Sequence, residues 1–257
     1  MEELRIIALL IDADNTQLSK LESVIREISM HGRIVVKRAY GNWKKETLKN
    51  WENELKRLAI KAEQQFDYVT GKNATDMALV IDAINLLHKG IYDSFVIVAS
   101  DSDYTPLAIN LHESGVYVMG VGEKKTPESF RNSCDEFVFL ENLSGEIKEE
   151  IDDNKSDVKG ETNSDNTEND SEQDESIEVV HNLLKIASDN YQDDEGYVNI
   201  SSAGQFIKRV KPDFDVRTFG FVKLPKLIEA YPEKYEMKRY QGKGTVTIVA
   251  YRCKENM

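Results

Sequence analysis

Ile6-Ile7-Ala8-Leu9-Leu10-Ile11-Asp12 and Phe95-Val96-Ile97-Val98-Ala99-Ser100-Asp101-Ser102-Asp103 are two apolar runs that end in acids. Unbroken runs of this kind, without polar alternation, are the pattern of parallel strands covered on both faces. Ligands of an open parallel sheet bind outside the carboxyl ends of its strands. Asp12, Asp101 and Asp103 therefore fall where a site is expected, and Asp76, at the start of a helical stretch, is placed to join them. Carboxylates gathered together repel one another unless a proton or a cation compensates. Hard oxygen donors favour Mg²⁺ or Mn²⁺, whose sites use one or two carboxylates and are completed by waters and substrate phosphates. Chemistry on a phosphate ester is the first expectation.

Around these runs, residues 5–141 alternate strand and helix. Strands are expected at 5–12, 33–40, 66–70, 94–100, 116–121 and 136–140, and helices at 18–30, 45–63, 75–89, 104–113 and 127–132. Parallel neighbours need crossover connections, so this order predicts an α/β fold, a parallel sheet with helices on both faces. The 5–12 strand, the most uniformly apolar, is expected at the centre, beside a switch in strand order.

The chain has 257 residues, 40% of them hydrophobic, enough for more than one core. Its net charge of −13 is unevenly spread: residues 1–144 carry −5, 145–176 carry −10 and 177–257 carry +2. The middle segment is Glu, Asp, Asn, Ser, Lys and Thr with few large apolar residues, and is expected to be a disordered acidic linker. Residues 1–144 and 177–257 are then two domains. In the second, Ile177, Val180, Leu183, Leu184 and Ala187 repeat at helical spacing, Ser201 or Ser202 is placed to cap a second helix, and Leu224, Leu227, Ile228 and Tyr231 mark a third. Alternation on either side of Gln241-Gly242-Lys243-Gly244 predicts a hairpin. Three helices and a hairpin are compatible with a small winged helix. Cys134 and Cys253 support neither a disulfide framework nor a zinc site, and the four histidines lack ligand spacing. The first residues, Met1-Glu2-Glu3, do not resemble a signal peptide and no run is long enough to span a bilayer, so a cytoplasmic protein without a membrane partner is expected.

Each acid also has an innocent reading. Asp14 and Asn15 could shape the turn after the first strand, Thr75 or Asp76 could cap a helix, and Asp103 could cap the next one, ahead of Pro106. Asp12 and Asp101 are harder to explain away, because the far end of a buried strand needs no cap. Asp14 would point away from Asp12 if the strand continued, and Asp82 lies about 120° around a helix from Asp76, in a supporting or solvated position.

Leu9-Leu10-Ile11-Asp12-Ala13-Asp14-Asn15-Thr16 fits the opening motif of haloacid-dehalogenase-type phosphatases, in which Asp12 would be the nucleophile, with Lys72 and Asp101 as partners. No cap insertion typical of that family is evident. As far as about residue 141 the chain resembles the NYN group of the PIN-like ribonuclease superfamily. The resemblance rests on Leu10-Ile11-Asp12-Ala13-Asp14-Asn15, Ala39-Tyr40-Gly41-Asn42-Trp43, Gly71-Lys72-Asn73-Ala74-Thr75-Asp76 and Val98-Ala99-Ser100-Asp101-Ser102-Asp103-Tyr104. It implies a Rossmann-like sheet, bound Mg²⁺ or Mn²⁺, and hydrolysis of RNA phosphodiesters, with Asp12, Asp76, Asp101 and Asp103 as the metal-binding acids and Asn15 and Ser102 close by. The carboxy-terminal part, from Gly196-Tyr197-Val198-Asn199-Ile200 to Arg217-Thr218-Phe219-Gly220-Phe221-Val222-Lys223-Leu224, resembles the OST-HTH or LOTUS domain, which implies binding of RNA or, in some members, of protein.

Several basic and aromatic residues are placed to hold single-stranded or structured RNA. Lys72 leads towards Asp76, and Trp43, Lys44 and Lys45 follow the second strand, positions suited to charge and stacking contacts. Trp43 equally suits a packing role. Lys208, Arg209, Lys211, Arg217 and Lys223 give the second domain a local basic excess. The expected function is a metal-dependent ribonuclease with an RNA-binding domain. A non-catalytic RNA-binding adaptor and the phosphatase are the alternatives.

Overall fold

A computed structural model describes residues 5–66, 74–143, 169–241 and 247–254. Two compact units are distinguished. Among the described residues no helix is long and apolar enough to cross a membrane.

The first unit runs β1 (Ile6–Asp12), α1 (Leu21–Ser29), β2 (Arg33–Gly41), α2 (Trp51–Arg57), β3 (Lys61–Gln64), α3 (Ala74–Leu87), β4 (Ser94–Val98), α4 (Thr105–Glu113), β5 (Tyr117–Gly122), α5 (Glu128–Asn132) and β6 (Glu136–Phe139). All strand pairs are parallel, in the order β3-β2-β1-β4-β5-β6. The expected α/β sheet is present and β1 is central. The chain winds outward from β1 to β3, then returns to β4 on β1's other side, so the order switches between β1 and β4 and opens a crevice at their carboxyl ends.

Side-chain parity on β1 divides the core into two layers. Ile7, Leu9 and Ile11 pack with Leu21, Val24, Ile28, Trp51 and Leu55 on the α1–α2 face. Ala8 and Leu10 pack with Leu79, Ala83, Tyr104, Leu107 and Leu111 on the α3–α4 face. Burying each large aliphatic side chain of this strand stabilises the fold by about 1.5–3 kcal/mol. The same parity turns Asp12 towards the α3–α4 layer.

One region departs from the sequence reading. The helix expected at 45–63 is shorter, a 3₁₀ turn at Glu46–Leu48 followed by α2, and the third strand is Lys61–Gln64 rather than 66–70. Ala59 takes φ 51°, a left-handed conformation that ends the helix before the strand begins. β3 is a largely exposed edge strand, Lys61-Ala62-Glu63-Gln64, with only one small apolar residue, which leaves no apolar alternation to read. Residues 67–70 of the expected strand lie outside the described residues.

The second unit contains α6 (Asn169–Tyr191), β7 (Val198–Asn199), α7 (Ile200–Val210), α8 (Leu224–Glu229), β8 (Tyr235–Gln241) and β9 (Thr247–Cys253), with an antiparallel sheet in the order β7-β9-β8. Three helices and a hairpin match the winged-helix expectation, and β7 adds a short third strand. Asn199, rather than Ser201 or Ser202, caps α7, its Oδ1 accepting from the Ser201 N–H at 2.8 Å. Residues 144–168, most of the expected linker, and the hairpin turn at 242–246 lie outside the described residues. α6 begins within the stretch assigned to the linker.

Candidate active site

β1 delivers Asp12 fully buried at the switch point. Its Oδ2 accepts from Asn15 Nδ2 at 2.8 Å and its Oδ1 from the Asp14 N–H at 3.2 Å. Burial pushes the Asp12 carboxyl up to about 6; the Asn15 hydrogen bond opposes the rise, and the charges of Asp76 and Asp14 add to it. Asp76, in the first turn of α3, accepts from Tyr104 Oη at 2.7 Å. It too is raised, first by burial and then by the charges of Asp101, Asp103 and Asp14, with Tyr104 pulling the other way. The mutual repulsion ties Asp12 and Asp76 into one electrostatic group with Asp14, Asp101 and Asp103.

Asp101 follows β4 and caps a 3₁₀ turn at Ser102–Tyr104, its Oδ1 accepting from the Asp103 N–H at 3.0 Å. The expectation that no cap is needed there is corrected: the chain turns sharply after Ser100, and the first turn's free N–H takes the carboxylate. Asp101 is half-buried, while Ser102 and Asp103 are exposed.

Two participants escaped the sequence reading. Asp14 turns back into the group because β1 stops at Asp12, so strand alternation no longer governs it. Its Oδ1 accepts from Lys45 Nζ at 3.0 Å and its Oδ2 from Thr75 Oγ1 at 3.2 Å. Tyr104 is fully buried beside Asp12 and Asp76, and burial with these two acids keeps its hydroxyl protonated as a donor. Its place in a motif of alternating Asp and Ser was the available signal.

Next to the acids lies a cleft of about 600 Å³, lined among others by Asp14, Asn15, Ser100, Asp101, Glu123 and Lys125. Glu123 follows β5, accepts from Gln17 Nε2 at 3.0 Å and pairs with Lys125 at 2.6 Å, contacts that hold its carboxyl below the usual range. β5 approaches closely here because Gly122 has no side chain. A Cβ there would stand 2.4 Å from the Ala99 carbonyl oxygen.

Of the expected RNA contacts near the acids, Lys45 meets Asp14 and Lys44 lies over the Phe66 ring at 5.0 Å. Trp43 is half-buried, donates from its indole to the Glu63 carbonyl at 3.1 Å and packs on Trp51 at 6.1 Å, so its packing role is accounted for. Lys72 lies outside the described residues. In the second unit Lys208, Arg209 and Lys223 are exposed. In that unit Arg217 pairs with Asp215 at 2.7 Å, while Lys211, which groups with the first unit, pairs with Asp213 at 3.1 Å. Phe214 is buried.

Among the described residues, no three His, Cys, Asp or Glu side chains gather closely enough to hold a metal ion unaided. The donors nevertheless suit a hydrated hard cation, which takes one or two carboxylates directly and the rest through water. Asp12 is the specific observation: a buried carboxyl surrounded by other acids is costly to ionise without a compensating cation.

A model of the NYN domain matches residues 6–141, the whole sheet of the first unit. The chain belongs to the NYN domain family. The OST-HTH/LOTUS domain matches residues 172–247, so the NYN domain is joined to the winged-helix unit described above. No curated protein matches the chain. Among solved structures, a protein of unknown function from Vibrio parahaemolyticus is 16% identical, with a TM-score of 0.46, covering 54% of this chain and 94% of its own. An uncharacterized protein from Nitrosomonas europaea is 19% identical, with a TM-score of 0.29, covering 44% of this chain and 95% of its own.

Proposed function

We propose that the NYN domain is a Mg²⁺- or Mn²⁺-dependent ribonuclease and that the OST-HTH/LOTUS domain contributes RNA binding. The observation that carries this reading is the buried Asp12 at the switch point, its pKa pushed up to about 6 within a group of four further acids. Asp12, Asp76, Asp101 and Asp103 would hold the ion. When bound, it supplies charge neutralisation at the phosphate and a more acidic water. Asn15 orients Asp12 by donating to Oδ2, and Tyr104 orients Asp76 by donating to Oδ1. Lys45, beside Asp14, is placed to draw the negatively charged strand into the cleft.

A phosphatase would use Asp12 as a nucleophile, and the two readings differ in whether phosphorus becomes covalently bound to that side chain. The deciding experiment compares single-stranded RNA with a small aryl phosphate ester, each in Mg²⁺, in Mn²⁺ and in chelator. Metal-dependent cutting of RNA with no ester hydrolysis is expected. Ester hydrolysis through a phosphoenzyme trapped on Asp12 would establish the phosphatase instead, and RNA binding without turnover in either ion would leave an adaptor.

A further inference from the structure

A second cleft, of about 440 Å³, opens between α3 and the β2–β3 edge of the sheet. Strand register ties it to the acids. Asp12 pairs with Tyr40 across β1–β2, and Tyr40 with Glu63 across β2–β3. Residues in one such row share a face, so Asp12, Tyr40 and Glu63 stand side by side on the α3 side of the sheet. Strands are about 4.8 Å apart, which puts the backbone of Glu63 roughly 10 Å from that of Asp12.

The cleft has a fixed interior and an open rim. Arg38 Nη1 donates to Asp82 Oδ1 at 2.6 Å and Tyr40 donates to Asp82 Oδ2, so the three are locked together and Asp82 has a structural task. The neutral amides of Gln65 and Asn85 line the same cleft with Ala78 and Ile81, and Ile81 is 56% exposed. An apolar wall facing a few polar groups is the make-up of a small-molecule pocket. Lys61 and Glu63 also line the cleft and pair with each other at 2.6 Å, so with its charges paired it offers carboxamides and an aliphatic face, which suit a nucleobase better than a phosphate. A carboxamide presents a donor and an acceptor together and matches the N6 amine and N7 of adenine.

Resting on the ribonuclease reading, we infer that this cleft binds an adenine base of the RNA substrate near the scissile phosphate. Stacked nucleotides advance about 3.4 Å each and extended ones more, so the bound base lies roughly one to three nucleotides from the cut. Gln65 and Asn85 read its edge and Ile81 covers its face. Arg38, Tyr40 and Asp82 keep the walls apart.

Two readouts test this on the full chain. The first is binding of AMP and CMP, followed by titration without RNA or metal. The second is mapping of cut sites in a single-stranded RNA pool with all four bases at every position. Wild-type protein is expected to bind AMP at least about fivefold more tightly than CMP and to enrich adenine near the cut, since a good paired contact discriminates by about 1–3 kcal/mol. Gln65→Ala with Asn85→Ala should remove both preferences, and Ile81→Ala should weaken AMP binding, while the far-UV spectrum and melting remain those of wild type. Equal binding of AMP and CMP, or cut sites whose adenine preference survives the double substitution, overturns the assignment. Selective AMP binding in a protein that cuts no RNA would instead leave the base cleft standing and remove the nuclease reading beneath it.

Discussion

Tyr104 donates its hydroxyl to Asp76 at 2.7 Å while lying fully buried against Asp12, so one phenol serves two carboxyls carried by different strand–helix units. Asp12 comes from the end of β1 and Asp76 from the start of α3. A donor shared in this way limits how far either acid's pKa can climb, since hydrogen bonding to the charged form favours it.

Tyr104→Phe is therefore expected to raise Asp76, and Asp12 with it, still further. The acidic limb of the pH–rate profile should move to higher pH. The folded state should lose about 1–3 kcal/mol at neutral pH because a buried carboxylate is left short of a donor. A pH–rate profile with an unmoved acidic limb would show that the phenol only fills space.

The pH dependence of stability follows from Asp12. Its folded pKa of about 6 lies above the ordinary 3.8, so its stabilising contribution is complete below about pH 4 and is lost as pH rises through 6. By pH 7 to 8 the loss is on the order of 3 kcal/mol. Asp12→Asn should accordingly melt higher than wild type in chelator at pH 8, with the advantage vanishing near pH 4. RNA cleavage should be abolished throughout. Melting curves in chelator from pH 4 to 8 provide the check.

Adding Mg²⁺ or Mn²⁺ should reverse the alkaline destabilisation in wild type, because an ion that binds only the folded protein raises its stability by mass action. The gain should shrink in Asp12→Asn and in Asp101→Asn. Equal thermal shifts in all three proteins would place the ion elsewhere.

Lys45→Ala removes a half-exposed ion pair to Asp14, worth less than about 1 kcal/mol of stability. Its effect on RNA should be larger: weaker binding at low salt, with the difference shrinking as salt screens it. Filter binding across a salt series separates this from a folding defect.

Lys208→Glu combined with Lys223→Glu, both exposed in the OST-HTH/LOTUS domain, should weaken RNA binding by the full chain and flatten its salt dependence. Single-turnover cleavage at saturating RNA should change little. Undiminished affinity would redirect that domain towards a protein partner.

The apolar runs of β1 and β4 made the centre of the sheet, and with it Asp12 and Asp101, legible from residues alone. Buried strands announce themselves through hydrophobicity; the edge does not. Lys61–Gln64 pairs through its backbone and leaves three of its four side chains exposed, so nothing in that stretch distinguished a strand from the helix before it. The role of Asp14 stayed open because period-two reasoning ends where a strand ends. Trp43 and Asp82 illustrate the opposite difficulty: their residue types suit a ligand site, but only three-dimensional neighbours show an indole packed on Trp51 and a carboxylate fastened to Arg38 and Tyr40.

The position of β1 between β2 and β4 bears on how the chain is made. β2 follows β1 within a few dozen residues, whereas β4 is encoded only at Ser94–Val98. A polypeptide emerging amino terminus first must therefore hold its most apolar strand with one flank unpaired until that later segment arrives. Open strand edges of this kind recruit other chains. A ribosome pausing before residue 94 would release this hazard, and stop codons placed between β2 and Ser94 should yield aggregates rather than soluble fragments.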